Sequence, residues 1–308
     1  MTHILRSYRG EDAPWVAAFL REVHRRDPRF DGPEDDAFAA FVAQPGNRNG
    51  ADFVVAGDRE GIAGVLLSGR TAAEAGASAV RSFKVIVHPR AQGRALESEL
   101  ISRAEAQDGS ETVVLRTVID AELSGLDAVL RCRGYRHRQT ILHMRRSGLP
   151  PAMDTLAPGL SLRDADPAQD GEVITQLYNL AHRHAFGFAP ISRSDLEATL
   201  GAPGGRLMVL VDQDGVIGTV QTLPFYGGVG VLQALEISPE WQGKGLGKYL
   251  AKVAISALAQ HGFRTVDLAV DAENTPAVGL YTRLGFTNRR RDLTFESGGV
   301  SQACSPPI

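Results

Sequence analysis

Glycine stands at 243, 245 and 247 in the stretch Ser238-Pro239-Glu240-Trp241-Gln242-Gly243-Lys244-Gly245-Leu246-Gly247. Ahead of it, Val229 to Ile237 has the apolar run of a buried strand. Behind it, Leu246, Leu250, Val253, Ala254, Ala257 and Leu258 recur at helical spacing, and Gly262 offers a stop. A glycine turn between a strand and a helix gathers bare backbone N–H groups and the positive end of a helix dipole at one point. Such a point suits a phosphate or pyrophosphate. Glycine also permits positive φ and removes Cβ atoms that would hold a ligand off the backbone. The spacing lacks the Gly-Lys-Ser/Thr ending of a nucleotide P-loop and does not open a dinucleotide-binding βαβ unit. An ordinary tight turn is the competing explanation.

The composition narrows the field. In 308 residues, 33 Lys and Arg face 36 Asp and Glu, a formal net charge of −3 that gives no basic footprint for nucleic acid. At 43% hydrophobic and 22% charged residues, the length accommodates two domains with their own cores. Residues 1–10 hold no apolar signal core, and no apolar run is long enough to span a bilayer. Cys132 and Cys304 sit in unlike contexts and suggest neither a disulfide framework nor a metal site. The expectation is a soluble, cytoplasmic protein without metal, nucleic-acid partner or membrane partner, a monomer or weak homodimer.

The order of elements runs twice. Strand, helix, weaker helix, hairpin, strand, helix, strand, helix and closing strand (His137 to Met144) occupy the first half. After Ser147-Gly148-Leu149-Pro150-Pro151 the same order restarts at Leu160. Pro89, Gln92, Gly93, Leu96, Leu100 and Ala104 recur 150 residues later as Pro239, Gln242, Gly243, Leu246, Leu250 and Ala254. Gly134 and Tyr135 match Gly285 and Phe286 at an offset of 151. This is an internal duplication, with segments 1–147 and 159–300, a linker at 148–158 and a polar tail at 301–308. Only the second copy keeps the loop. Ala95 replaces Gly245, and Glu97 puts a carboxylate where Gly247 leaves space.

Gln242-Gly243-Lys244-Gly245-Leu246-Gly247 matches the Gln/Arg-x-x-Gly-x-Gly/Ala signature of the GNAT acyltransferases, and the segment from Asn274 to Phe286 resembles that family's later motif. A tandem pair of this length resembles the two-domain group that includes mycothiol synthase. The resemblance implies an α/β fold of two GNAT-like units, each a mixed, mostly antiparallel sheet flanked by helices, with the first unit degenerate. It implies acetyl-CoA as co-substrate and a small-molecule amine as acceptor. The backbone of Leu235, Glu236 and Ile237 would bind the pantetheine arm. The amides of Gln242, Gly243, Lys244, Gly245, Leu246, Gly247 and Lys248 would hold the pyrophosphate, and Asn274 would help orient the acyl-CoA. Tyr281 resembles the family's general acid, a phenol placed to protonate the departing thiolate. In the first copy Leu130 stands at that position.

Each assignment has a plainer alternative. Tyr281 shares a helix face with Ala277 and Leu284 and could be core. Asn274 could merely shape the start of the helix at Pro276. Lys244 and Lys248 could be solvated charges. The group that takes the amine proton is open: Glu236 is a candidate or only an edge charge. Gln233, His182, His184 and Tyr226 are candidates for the acceptor side or ordinary surface and core residues. Two other functions stay in view, a non-catalytic acyl-CoA-binding regulator and an acetyltransferase acting on a protein N-terminus.

Overall fold

The computed structural model describes residues 3–26, 35–71, 79–93, 95–107, 113–122, 125–200, 204–225 and 228–297. The chain forms two compact units, one of residues 1–139 and 292–308, the other of residues 140–291.

In the first unit, β1 (Ile4–Ser7), β2 (Val54–Asp58), β3 (Gly61–Thr71) and β4 (Val80–Val87) pair antiparallel in that order. β4 then pairs parallel with β5 (Val114–Asp120). Helices α1 (Ala13–Arg26), α2 (Asp35–Ala43), α3 (Leu96–Ala106) and α4 (Leu126–Cys132) connect them. The next strand, β6 (Tyr135–Ser147), does not close this sheet. The second unit repeats the pattern with β7 (Ser161–Asp164), α5 (Pro167–His182), α6 (Arg193–Leu200), β8 (Arg206–Val211), β9 (Val216–Phe225) and β10 (Val229–Ile237). It continues through α7 (Leu246–Gln260), β11 (Thr265–Asp271), α8 (Thr275–Arg283) and β12 (Thr287–Ser297). Here β7 to β10 are antiparallel and β10 pairs parallel with β11.

The closing strands are exchanged. Ile141 to Ser147 of β6 pair antiparallel with β11, in the second unit, while Asp292 to Glu296 of β12 pair with β5, in the first. The closing strand placed at His137 to Met144 therefore runs on into the other unit, and the compact units do not coincide with segments 1–147 and 159–300. Both strands offer equivalent hydrogen-bonding edges and alternating side chains, so local pattern does not say which sheet each one joins. Residues 148–158 are irregular, as the Pro and Gly content predicts, and Asp154 pairs with Lys252 at 2.8 Å. The tail at 301–308 lies outside the described residues. Cys132 is disulfide-bonded, its partner outside the described residues, against the expectation from two cysteines far apart in sequence. No helix among the described residues is long and apolar enough to cross a membrane.

The helix that carries the loop is built as its sequence predicts. Leu250, Ala254 and Leu258 of α7 are buried, and each large apolar side chain so placed contributes roughly 1.5–3 kcal/mol. Gly262, at φ +89°, ends the helix, and the Phe263 N–H donates to the Leu258 carbonyl at 3.1 Å. The start of each unit repeats a device that composition did not reveal. Arg6 clasps Asp12 through two bonds of 2.6 Å, and Arg163 clasps Asp170 through bonds of 2.6 and 2.8 Å. Asp12 also accepts the Arg9 N–H, and Asp170 the Asp166 N–H. The two aspartates, 158 residues apart, set the register of α1 against α5, while the arginines of the preceding strands are 157 apart.

Bonding to Arg163 holds the Asp170 carboxyl below its ordinary value, despite burial. Its stabilising contribution is thus complete above about pH 3.9 and is lost as pH falls below that value. Asp170→Ala is expected to cost about 1–3 kcal/mol at pH 7. Urea unfolding of variant and wild type will show that difference at neutral pH and a smaller one at about pH 3.

Candidate functional site

The site of the second unit begins where two strands part. β10 pairs with β11 only from Val229 to Val231, although it runs on to Ile237. A bulge between Leu232 and Ala234 interrupts its pairing with β9 and leaves Gln233 exposed. Beyond Val231 the edge of β10 that faced β11 has no strand partner among the described residues. Leu235 turns toward α7, where a Cβ on Gly247 would lie 3.9 Å from it, and Ile237 joins the same apolar cluster, 2.7 Å from where a Cβ on Gly218 of β9 would lie. The Ile237 carbonyl is already taken by the Gln242 side chain at 3.0 Å, and Gln92 reaches Val87 in the same way in the first unit. Gln242 therefore pins the loop to its strand.

The loop itself presents a run of amides. The Gln242 N–H donates to the Pro239 carbonyl at 3.3 Å, so it is already spent. From Gly243 to Lys248 no acceptor of the chain takes the backbone N–H groups among the described residues. The first return bond of the helix is from Tyr249 to Gly245, at 3.1 Å. Gly243 and Gly245 adopt φ of +75° and +83°. Gly247 has no such constraint, and a Cβ there would make only ordinary contacts, the nearest at 3.7 Å to Leu280. Lys244 lies over the Trp241 ring at 4.3 Å, and Lys248 lies 3.6 Å from Asp154.

The first unit shows what the loop is without its ligand chemistry. Ala95 keeps the left-handed turn at φ +66°, which for a residue with a Cβ costs roughly 1–2 kcal/mol. The turn is thus architectural, and Gly245 is explained by backbone geometry as well as by access to a ligand. Glu97, at the position of Gly247, folds back so that its carboxylate accepts the Gly93 N–H at 3.1 Å. An acidic side chain of the chain occupies the amide that is free at Gly243.

Opposite the loop, a polar cluster is set into an apolar core. Glu236 is 4% exposed. One of its oxygens accepts the Thr219 hydroxyl, and the other lies 3.2 Å from His182 Nε2. The His182 ring lies against that of Tyr178, four residues earlier on α5, at 4.4 Å between centroids and tilted by 36°. Tyr281, on α8, is buried and packs edge-on against Phe286 at 5.8 Å. Burial, helped by the Glu236 charge, pushes its phenol up to about 12, and burial also raises Tyr178. No hydrogen bond to the Tyr281 hydroxyl forms among the described residues.

Among the sequence candidates, Glu236 and His182 come together, with Tyr281 within electrostatic reach. His184 does not join them: its Nε2 accepts from Arg183 Nε at 2.9 Å. Asn274 caps α8, its Oδ1 accepting the Ala277 N–H at 3.2 Å. Tyr226 lies outside the described residues. Thr219 and Tyr178 were missed. Their signals were a hydroxyl between Gly218 and Val220 in β9 and an aromatic one turn before His182. Among the described residues no group of three His, Cys, Asp or Glu could hold a metal.

The two units can be matched position by position through the Arg–Asp clasp and the strand registers. Tyr178, Thr219, Glu236 and Tyr281 correspond to Leu20, Val65, Ile86 and Leu130, all buried. Thr219 opposes Glu236 across β9 and β10 as Val65 opposes Ile86 across β3 and β4.

Comparison with known proteins agrees with this geometry. Residues 172–286 match the acetyltransferase (GNAT) family model. The chain is 30% identical over 232 residues to the mycothiol acetyltransferase of Arthrobacter sp. (strain FB24), covering 70% of this chain and 71% of that one. It is 26% identical over 312 residues to the mycothiol acetyltransferase of Streptomyces griseus, covering 93% and 98%. In fold it is similar to a GCN5-related N-acetyltransferase from Sphaerobacter thermophilus, with a TM-score of 0.74 at 22% identity over 97% and 98% of the chains. It is also similar to a tandem GNAT protein from the clavulanic acid biosynthesis pathway, with a TM-score of 0.70 at 16% identity over the full length of both. With this relationship and a parted strand pair beside a loop of free amides, the chain belongs to the GNAT family as a tandem member, an acyl-CoA-dependent N-acetyltransferase.

Proposed function

We propose that the second unit transfers an acetyl group from acetyl-CoA to an amine of a small molecule, and that the first unit supplies no active site. The observation that carries this is the contrast between two equivalent loops among the described residues, one with six unclaimed amides and one whose Gly93 amide is taken by the carboxylate of Glu97. The residues of the second loop fit a pyrophosphate: Gly247 puts no side chain over the amides, and the α7 dipole favours negative charge there. The unpaired edge of β10 beyond Val231 fits the pantetheine arm as an added strand, with the Ile237 carbonyl already accepting one bond from Gln242. Asn274 acts here as a helix cap, so its contribution is to hold α8, and Tyr281 with it, in place. The names of the relatives support a mycothiol-related amine as the first acceptor to try.

Chemically, the free amine attacks the thioester carbonyl directly. Collapse of the adduct breaks the C–S bond, and the Tyr281 phenol gives its proton to the departing thiolate. A phenol held up to about 12 remains protonated through the neutral range, as a general acid must. The Glu236 charge also draws a cationic amine toward this side of the cleft.

Tyr281→Phe is expected to lower kcat by roughly 10²–10⁴-fold with CoA affinity kept. A thiol-release assay with calorimetric CoA titration will separate the two effects, and undiminished turnover would remove the acid assignment. Gly247→Glu is expected to fold normally, since the site has room for a Cβ. It should bind CoA roughly tenfold to a hundredfold more weakly, the loss of a charged hydrogen-bond set. Calorimetry should give one CoA site per chain in the wild type and weakened binding in the variant.

A further inference from the structure

Glu236 is costly to keep. A buried carboxylate gives up its hydration, and replacing such a group by a well-packed apolar residue is often neutral or stabilising. The first unit has made that replacement, with Ile86 for Glu236, Val65 for Thr219 and Leu20 for Tyr178, all buried in its core. The fold therefore does not need the polar set. His24, at the offset of the Arg–Asp clasp, still matches His182, so what distinguishes the second unit is the set of groups around the imidazole.

We propose that His182 takes the proton of the acceptor amine, with Glu236 as the group that orients it and Thr219 and Tyr178 as positioning residues. The inference rests on the N-acetyl transfer proposed above. Both Glu236 oxygens are engaged and shut in, whereas the His182 side chain is 41% exposed. An ionised carboxylate accepts hydrogen bonds and donates none, so the nitrogen facing it carries the hydrogen and Nδ1 keeps its lone pair. Thr219 fixes the carboxylate, and the Tyr178 ring fixes the plane of the imidazole. Other titratable or charged groups nearby are Arg183 and His184, which bond to each other at the end of α5, and Tyr281, across Glu236 on α8.

The protons balance over one turnover. The ammonium gives one proton to His182 Nδ1, and the free amine forms the C–N bond. The C–S bond breaks as Tyr281 protonates the sulfur. The nitrogen of the new amide returns its remaining extra proton to the Tyr281 phenolate, and the imidazolium releases its proton to solvent at its exposed edge.

The test compares wild type, His182→Gln and Thr219→Val in thiol release with primary alkyl amines, which are cationic at neutral pH, and with hydroxylamine, which is neutral there. His182→Gln should lose roughly 10²–10⁴-fold in kcat with the alkyl amines and flatten the acid limb of the pH profile. With hydroxylamine, which needs no proton removed before attack, its loss should stay within about fivefold, and CoA affinity should be kept. Thr219→Val should show the same selectivity at about tenfold. Equal losses with both nucleophiles, or unaltered turnover with alkyl amines, would overturn the assignment. Thiol release by no amine in the wild type would instead remove the acetyl-transfer reading and the relay with it. In the intact protein, long-range proton–nitrogen spectra should show the Nε2–H tautomer of His182, and an Nδ1–H tautomer would also refute the proposal.

Discussion

The early end of one strand pairing shapes everything around it. β10 and β11 share only three registered positions, then part while β10 continues for six more residues. Paired to its end, β10 would have no backbone edge to offer and no way for groups on its two faces to meet. Because it parts, an edge of β10 is left without a strand partner between the glycine loop at its C-terminal end and the point of divergence, which is where the proposed reaction needs it. The same parting occurs in the first unit, where β4 pairs with β5 from Val80 to Phe83 and runs on to Val87. The opening is thus a property of the fold, and what fills it is a property of the side chains.

That separation makes the duplicated chain its own control. The strand, the side-chain pin from Gln92 or Gln242 and the left-handed turn before the helix persist in both units. Among the positions compared above, several of those that differ are groups that could meet a ligand. Glu97 takes the Gly93 amide, whose counterpart at Gly243 is unclaimed, and four buried apolar residues stand for Tyr178, Thr219, Glu236 and Tyr281. Ala95 holds φ +66° at a cost that glycine at 245 avoids. The turn came with the fold, while the unclaimed amide at Gly243 did not.

Much of this was legible in the residues. The duplication followed from turn and helix-face residues repeating at one offset, and the strand–loop–helix order from hydrophobic period and glycine placement. Three things were not. The exchange of β6 and β12 was hidden because strand pattern encodes which face is buried and not which neighbour is paired. The clasp of Arg163 on Asp170 was hidden because it joins two elements at unremarked polar positions. The Thr219–Glu236–His182 cluster draws on β9, β10 and α5, so no single window of sequence contains it. Glu236 and His182 each stood out alone as a candidate with a plain alternative. Only the register of β9 against β10, and the end of α5 above them, turns two weak candidates into one arrangement.

One charge then couples the two ends of the site. Glu236 raises the Tyr281 phenol and so favours an acid that keeps its proton. It also lies 3.2 Å from His182 Nε2 and, in the proposed arrangement, orients the imidazole by accepting from it. Neutralising the carboxylate would weaken both effects together, whereas loss of either partner would leave a buried charge with an oxygen unsatisfied. In the mechanism proposed above, the acid and the base of one turnover would thus be tuned by a single residue. That reading gives a reason for the retention, in the second unit alone, of a buried carboxylate that the fold can do without.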